Sequence, residues 1–193
     1  MKTLCVFCGS KTGHREVFRE TATELGEAMV RRGLQLVYGG GHVGLMGVVA
    51  DAVLAGGGQV TGIIPQFLKD WEVAHLGVTE LIVSQTMHER KARMVELADG
   101  FVALPGGYGT LDELFEILTW KQLRLHAKPV GLLNVNGFFD PLLRMADTMV
   151  AEGFVSPENL ALLIVADRVD DLLQKMDFYA AKPNGNSVAS ASL

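Results

Sequence analysis

The densest chemistry in the chain lies in Leu104-Pro105-Gly106-Gly107-Tyr108-Gly109-Thr110-Leu111-Asp112-Glu113. A glycine turn here separates a short apolar run, Phe101 to Leu104, from an amphipathic run starting near Leu111. Such a turn between strand and helix offers backbone N–H groups to an anion, and the helix N-terminus adds its positive end. Glu113, expected in the first helical turn, sets a carboxylate beside that anion site. The combination points to chemistry on a phosphate-bearing ligand. A plainer reading stands beside it: Thr110-x-x-Glu113 is also a capping box, which starts a helix without catalysis.

A second constellation is Met87-His88-Glu89-Arg90-Lys91. At helical spacing Met87, Met94 and Ala98 form an apolar stripe, and Arg90 and Lys91 fall on the same face. Two cations on a core-facing stripe either snorkel to the surface or reach a polar pocket. In a pocket they would hold a phosphate or the charge that develops in a reaction. A third glycine cluster, Gly39-Gly40-Gly41-His42-Val43-Gly44, matches G-x-G-x-x-G. A nicotinamide-cofactor site would want an acid closing the next strand, but that strand ends Ile63-Ile64-Pro65-Gln66. There is no Walker A sequence either. The ligand left standing is a mononucleotide or similar phosphate ester.

These segments need a scaffold that brings them together. Strand-length apolar runs occur at Thr3–Cys8, Leu34–Tyr38, Gln59–Ile64, Glu80–Val83, Phe101–Leu104, Val130–Leu133 and Leu162–Val165. Helical patterns lie between them, near Val17–Arg32, Leu45–Ala55, Met87–Ala98, Leu111–Leu125, Pro141–Glu152 and Val169–Met176. Continuous Val/Ile/Leu strands alternating with helices predict a single-domain, Rossmann-like α/β fold with a doubly wound parallel sheet. Ligands bind such sheets at the carboxyl edge, where strand order switches. The turns after Cys8, Tyr38 and Leu104 should therefore converge there. Pro65 to Thr79 is a long connection of the kind that carries function. The domain is expected over residues 1–179. Residues 180–193, rich in Ser, Ala, Asn and Gly, are expected to form a loose tail.

Composition removes other classes. The net charge is −5 with no basic run, which argues against a nucleic-acid polymer or an anionic membrane as partner. No apolar run spans a bilayer and the N-terminus shows no leader pattern, so a cytoplasmic location is expected. Cys5 and Cys8, three apart in a strand, would point to opposite faces and read as buried small hydrophobes. The five scattered His make no ligand pair, so no metal site is expected.

Pro105 to Glu113 resembles the PGGxGTxxE signature of the Lonely Guy family, and Met87-His88-Glu89-Arg90-Lys91 resembles its M-H-x-R-K segment. The likeness runs from Cys8-Gly9-Ser10 through Tyr38-Gly39-Gly40-Gly41 and Gly62-Ile63-Ile64-Pro65 to Lys128–Asn134. Members of that family are cytokinin-activating nucleoside-monophosphate phosphoribohydrolases, long mislabelled as lysine decarboxylases. The resemblance implies hydrolysis of an N-glycosidic bond to free base and ribose 5-phosphate, with no cofactor. It places the catalytic pair on Arg90 and Glu113, and the phosphate loop on Gly106, Gly107, Gly109 and Thr110. Lys91 lies beside the catalytic arginine, and Met87 and His88 flank the ligand. Gly9, Ser10, Gly40 and Gly41 belong to the turns of the ligand edge. Tyr108 fills a variable position within the phosphate loop. The acid on the base side falls on Glu72, with Glu80 as a second candidate.

Breaking a ribosyl C–N bond develops oxocarbenium character, which a flanking carboxylate stabilises. The rival function is a carrier of a nucleotide-like ligand on the same fold, holding its cargo unreacted. A homodimer is implied by the resemblance. Leu114, Phe115, Leu118 and Trp120 on the helix after the glycine turn carry more apolar surface than one sheet face needs.

Overall fold

A computed structural model describes residues 1–71 and 73–181. Glu72 and most of the expected tail, residues 182–193, lie outside the described residues. The elements run β1 (Thr3–Phe7), α1 (Glu16–Arg31), β2 (Gln35–Tyr38), α2 (Gly44–Ala55), β3 (Val60–Pro65), α3 (Gln66–Asp70), β4 (Glu80–Ser84) and α4 (Met87–Leu97). They continue with β5 (Gly100–Ala103), α5 (Tyr108–Gln122), β6 (Val130–Leu133), a 3₁₀ turn at Val135–Gly137, α6 (Asp140–Ala151), α7 (Pro157–Leu160), β7 (Leu163–Ala166) and α8 (Val169–Ala180).

Among the described residues seven strands pair in parallel in the order β4-β3-β2-β1-β5-β6-β7. Strand order therefore reverses between β1 and β5, the two strands that precede the Gly9 and Gly106 turns. Side chains alternate across the sheet. Leu4 and Val6 join a core with Leu25 of α1, Val49 of α2 and Leu172 of α8. Cys5 and Phe7 join the opposite core with Met94 of α4 and Leu114 of α5. Burial on both faces explains why the strands read as unbroken apolar runs. Cys5 and Cys8 are free, buried and in opposite cores.

The boundaries that differ have local causes. Gly33 adopts φ +66° and closes α1 with the Leu34 N–H on the Met29 carbonyl at 2.9 Å, the Schellman arrangement. The stretch after Pro65 is partly helical, since α3 occupies its first turn. α3 and α7 are too short to show a helical period, so the sequence gives no sign of them. α8 runs to Ala180, beyond the expected end at Met176. Among the described residues, no helix is long and apolar enough to cross a membrane.

Candidate active site

The three glycine turns meet at the carboxyl edge and are bonded to one another. The Gly9 N–H donates to the Pro105 carbonyl at 3.1 Å, and the Leu45 N–H donates to the Gly9 carbonyl at 2.9 Å. Gly44 sits at φ +63°, and a Cβ there would overlap the Ser10 backbone. Side-chain-free contact is what lets the start of α2 lie against the β1 turn.

α5 begins at Tyr108 with Gly107 as its N-cap, three residues earlier than the sequence suggests, and ends at Gln122. Among the described residues no side chain caps it. The N–H groups of its opening turn have no partner within the helix, and Tyr108, Gly109 and Thr110 line the cleft. Glu113 lies in the second turn, pointing inward at 9% exposure, so the capping-box reading of Thr110 and Glu113 fails. A variant of that cap forms on α4 instead, with the Glu side chain reaching one residue beyond the N-cap. There Thr86 Oγ1 accepts from the Glu89 N–H at 3.1 Å, and Glu89 Oε2 accepts from the Gln85 N–H at 2.7 Å.

That cap holds the first turns of α4 at the same sheet edge, which brings Arg90 in. Its side chain is buried at 9% exposure, and Nη2 lies 3.6 Å from Glu113 Oε1. This is a close charge pair, longer than a direct hydrogen bond. Among the described residues Nε has no hydrogen-bond partner, although it is buried. Arg90 also lines the cleft, where a guanidinium is suited to receive a ligand oxygen. Gly39 makes the room, since a Cβ at that position would overlap the guanidinium.

Burial pushes the Glu113 carboxyl up to about 7. The positive charge of Arg90 works against that rise, Asp112 adds to it, Lys91 opposes it and Glu116 adds to it. Desolvation wins because the carboxylate lies among the core residues of α5. A carboxyl poised near neutrality is suited to take a proton from water. The acid limb of kcat/KM is therefore expected to have its midpoint near pH 7, with activity rising as Glu113 loses its proton. A limb near the ordinary carboxylate range, read from rate profiles of the free enzyme, would contradict this.

The cleft has a volume of about 620 Å³, within the range of small-ligand sites. Gly9, Ser10, Gly41, Met87, Arg90 and Glu113 all line it, and so do Gly107, Tyr108, Gly109 and Thr110. Gly40, at φ +72°, does not line it; a Cβ there would crowd the Ile63 backbone and the Ile64 Cβ of β3. Gly106 lies behind the turn against the Gly9 N–H and lines a neighbouring cavity of about 220 Å³. His88 is exposed on α4 and does not line the cleft.

Lys91 turns away from the cleft. Its Nζ lies 3.2 Å from Asp112 and 3.0 Å from Glu116. Burial works against its charge, but hydrogen bonds to Glu116 and Asp112 outweigh that and raise its pKa. Lys91 thus fastens α4 to α5 one residue away from Arg90. Glu80 opens β4 at its amino end, on the sheet edge opposite the cleft.

The apolar wall of the cleft was missed by sequence reasoning. Val43, Met46, Ile64, Leu68 and Val73 come from four separate segments with no common spacing, so no periodicity announces them. Gly39 could have been found, as the one glycine of its cluster that follows β2 directly and faces α4.

Comparison with known proteins bears directly on this site. A family model described as "Possible lysine decarboxylase" matches residues 46–176. The chain is 51% identical over 176 residues to a probable cytokinin riboside 5′-monophosphate phosphoribohydrolase, LOGL1 of Oryza sativa subsp. japonica, covering 91% of this chain and 79% of that protein. It is 48% identical over 191 residues to the cytokinin riboside 5′-monophosphate phosphoribohydrolase LOG5 of Arabidopsis thaliana, covering 99% of this chain and 83% of the other. The chain belongs to the Lonely Guy family. The decarboxylase description of the family model finds no echo in this Lonely Guy cleft, where no lysine is among the described lining residues to form a Schiff base. A molybdenum cofactor carrier protein from Chlamydomonas reinhardtii shares the fold of this Lonely Guy protein, with TM-score 0.70 and 22% identity over 93% of this chain and 98% of the other. At that identity the likeness is one of fold alone.

Proposed function

We propose that this protein hydrolyses the N-glycosidic bond of cytokinin riboside 5′-monophosphates, and of AMP, to free base and ribose 5-phosphate. The observation that carries the reading is the buried Arg90–Glu113 pair placed beside the open N-terminus of α5. The relatives named above lend it their chemistry.

In this mechanism the 5′-phosphate binds the N–H groups of the α5 turn and is held by the helix N-terminus. That fixes the ribose with its anomeric carbon towards Glu113. As the C–N bond stretches, its electron pair leaves with the base and positive charge grows on the sugar. Glu113, as carboxylate, stabilises that charge and takes a proton from the attacking water, whose oxygen bonds the anomeric carbon. Arg90 receives a ribose or phosphate oxygen and keeps Glu113 oriented. The proton then passes to the departing base, so water is consumed and no cofactor is required. A carrier of intact nucleotide would have no use for a buried carboxylate at this point.

Chromatography of reactions with AMP, isopentenyladenosine monophosphate and adenosine tests the reading. Base release from both nucleotides, with adenosine at least about tenfold poorer in kcat/KM, is expected, because one charge-assisted phosphate contact is worth that much. Equal turnover of adenosine would remove the phosphate loop from the account.

The active assembly is a homodimer in this proposal. No residue of α6 is fully buried, and its Leu142, Leu143, Ala146 and Met149 share an apolar groove with Phe115 and Leu118 of α5. Nearby Met145 is 52% exposed and Phe154 84%. A second copy meeting the same face would cover both helices through a two-fold contact. Sedimentation is expected to give twice the chain mass, and the mass of one chain for a Phe115→Glu, Ala146→Arg double variant. A monomeric wild type would reject the dimer.

A further inference from the structure

The wall of the cleft opposite the phosphate turn is held by a fastening that the chemistry above does not use. Val73–His75 crosses the glycine turn after β2 as a short strap. The His42 N–H donates to the Val73 carbonyl at 2.9 Å, the His75 N–H donates to the Gly40 carbonyl at 2.8 Å, and Gly41 pairs with Ala74 in an antiparallel bridge. Val73 lines the cleft, beside Leu68 of α3 and Met46 of α2.

The His75 side chain leaves the strap and runs back to α2. Its Nε2 lies 2.9 Å from Asp51 Oδ1, while Nδ1 accepts the Gly77 N–H at 3.2 Å. Acceptance at Nδ1 fixes the proton on Nε2, so the ring donates to Asp51. The imidazole is only 13% exposed, against 70% for the Asp51 carboxylate. A ring so far withdrawn from water depends on that carboxylate for its N–H. Asp51 also stands on the helix whose first turn supplies Met46. The pair therefore ties together the strap and the helix that form the apolar end of the cleft. The phosphate turn of α5 lies outside this tie.

We infer that His75 and Asp51 are positioning residues for recognition of the base: their link sets the strap against α2, and with it the apolar surface that receives the purine and its substituent. The inference rests on the nucleotide reading of the cleft. It assigns the two ends of the substrate to different parts of the protein, phosphate to the α5 turn and base to the strap, of which the His75–Asp51 link fastens the second.

Calorimetric titration with AMP and with ribose 5-phosphate tests it, in a Glu113→Gln background so that AMP stays intact. His75→Ala and Asp51→Ala are each expected to weaken AMP by about tenfold, as for loss of one hydrogen bond to a charged group and the order it imposes. Ribose 5-phosphate should bind within about twofold of the parent, because its contacts lie on the α5 turn. His75→Gln keeps a donor at the Nε2 position and Asp51→Asn keeps the acceptor, so both should restore AMP binding. In the Glu113 enzyme the alanine variants should raise KM far more than they lower kcat. Hydrogen exchange should quicken at the His42 and His75 amides and stay unchanged at Gly9. Parallel weakening of AMP and ribose 5-phosphate would overturn the inference by showing general loosening, and so would alanine variants that bind AMP like the parent. Failure of the unmodified enzyme to release base would count against the hydrolase reading alone, since the binding contrast is read without turnover.

Discussion

Glu113→Gln is expected to lower kcat by roughly 10³-fold or more while leaving fold and nucleotide affinity nearly intact. Loss of a positioned general base alone removes about 10²–10⁴-fold, and in the proposed mechanism the same carboxylate also stabilises the sugar cation. The substitution is isosteric, so no cavity opens in the α5 packing. The protein already tolerates a neutral side chain there, because burial holds the Glu113 carboxyl at about 7 and it is partly protonated in the resting enzyme. Thermal unfolding should consequently move little. Retention of most of the turnover would remove Glu113 from the chemistry, and a collapse of stability would make the loss uninformative. Measuring kcat, AMP affinity and Tm on the same preparation separates these results.

Arg90→Met is expected to be nearly as severe, for a different reason. The guanidinium lies 3.6 Å from Glu113 and is the strongest charge opposing the upward shift of that carboxyl. Without it the Glu113 pKa rises further, so at neutral pH the group is mostly protonated and unable to accept a proton. The acid limb of kcat/KM should move to higher pH. In the proposed mechanism a ribose or phosphate oxygen of the substrate also loses its partner. Removal of one preorganised charged donor lowers kcat by about 10²–10³-fold, and affinity for ribose 5-phosphate should fall with it. Arg90→Lys keeps the charge but not the planar fork, so it should recover the pH limb better than the rate. A Met variant with an unmoved pH limb would show that Arg90 does not set the state of Glu113.

Much of this was legible in the chain. The strands were visible because parallel strands buried on both faces are written as short unbroken apolar runs, as at Val130–Leu133. Arg90 was visible as a cation on the stripe of Met87 and Met94, and the structure turns it inward while Lys91 goes to the acids of α5. One residue of helical rotation separates those two fates, and spacing cannot resolve it. α5 starts earlier than the sequence suggests because a glycine-rich turn suppresses the usual helical signal, although Gly107 serves as an extended N-cap and Gly109 takes helical geometry. The capping-box pattern misled at Thr110 because the same pattern fits Thr86–Glu89, where the bonds are made. The apolar wall and the His75–Asp51 tie join residues far apart in sequence, so only the folded chain reveals them.

A single-turnover reaction with enzyme in excess over AMP tests the central claim most directly. Every nucleotide is then bound, and the protein must either cleave it or hold it. Complete conversion to adenine and ribose 5-phosphate in equal amounts is expected, and intact AMP when Glu113→Gln replaces the wild type. AMP recovered whole from the wild-type enzyme, bound but uncleaved, would contradict the hydrolase and leave a carrier in its place.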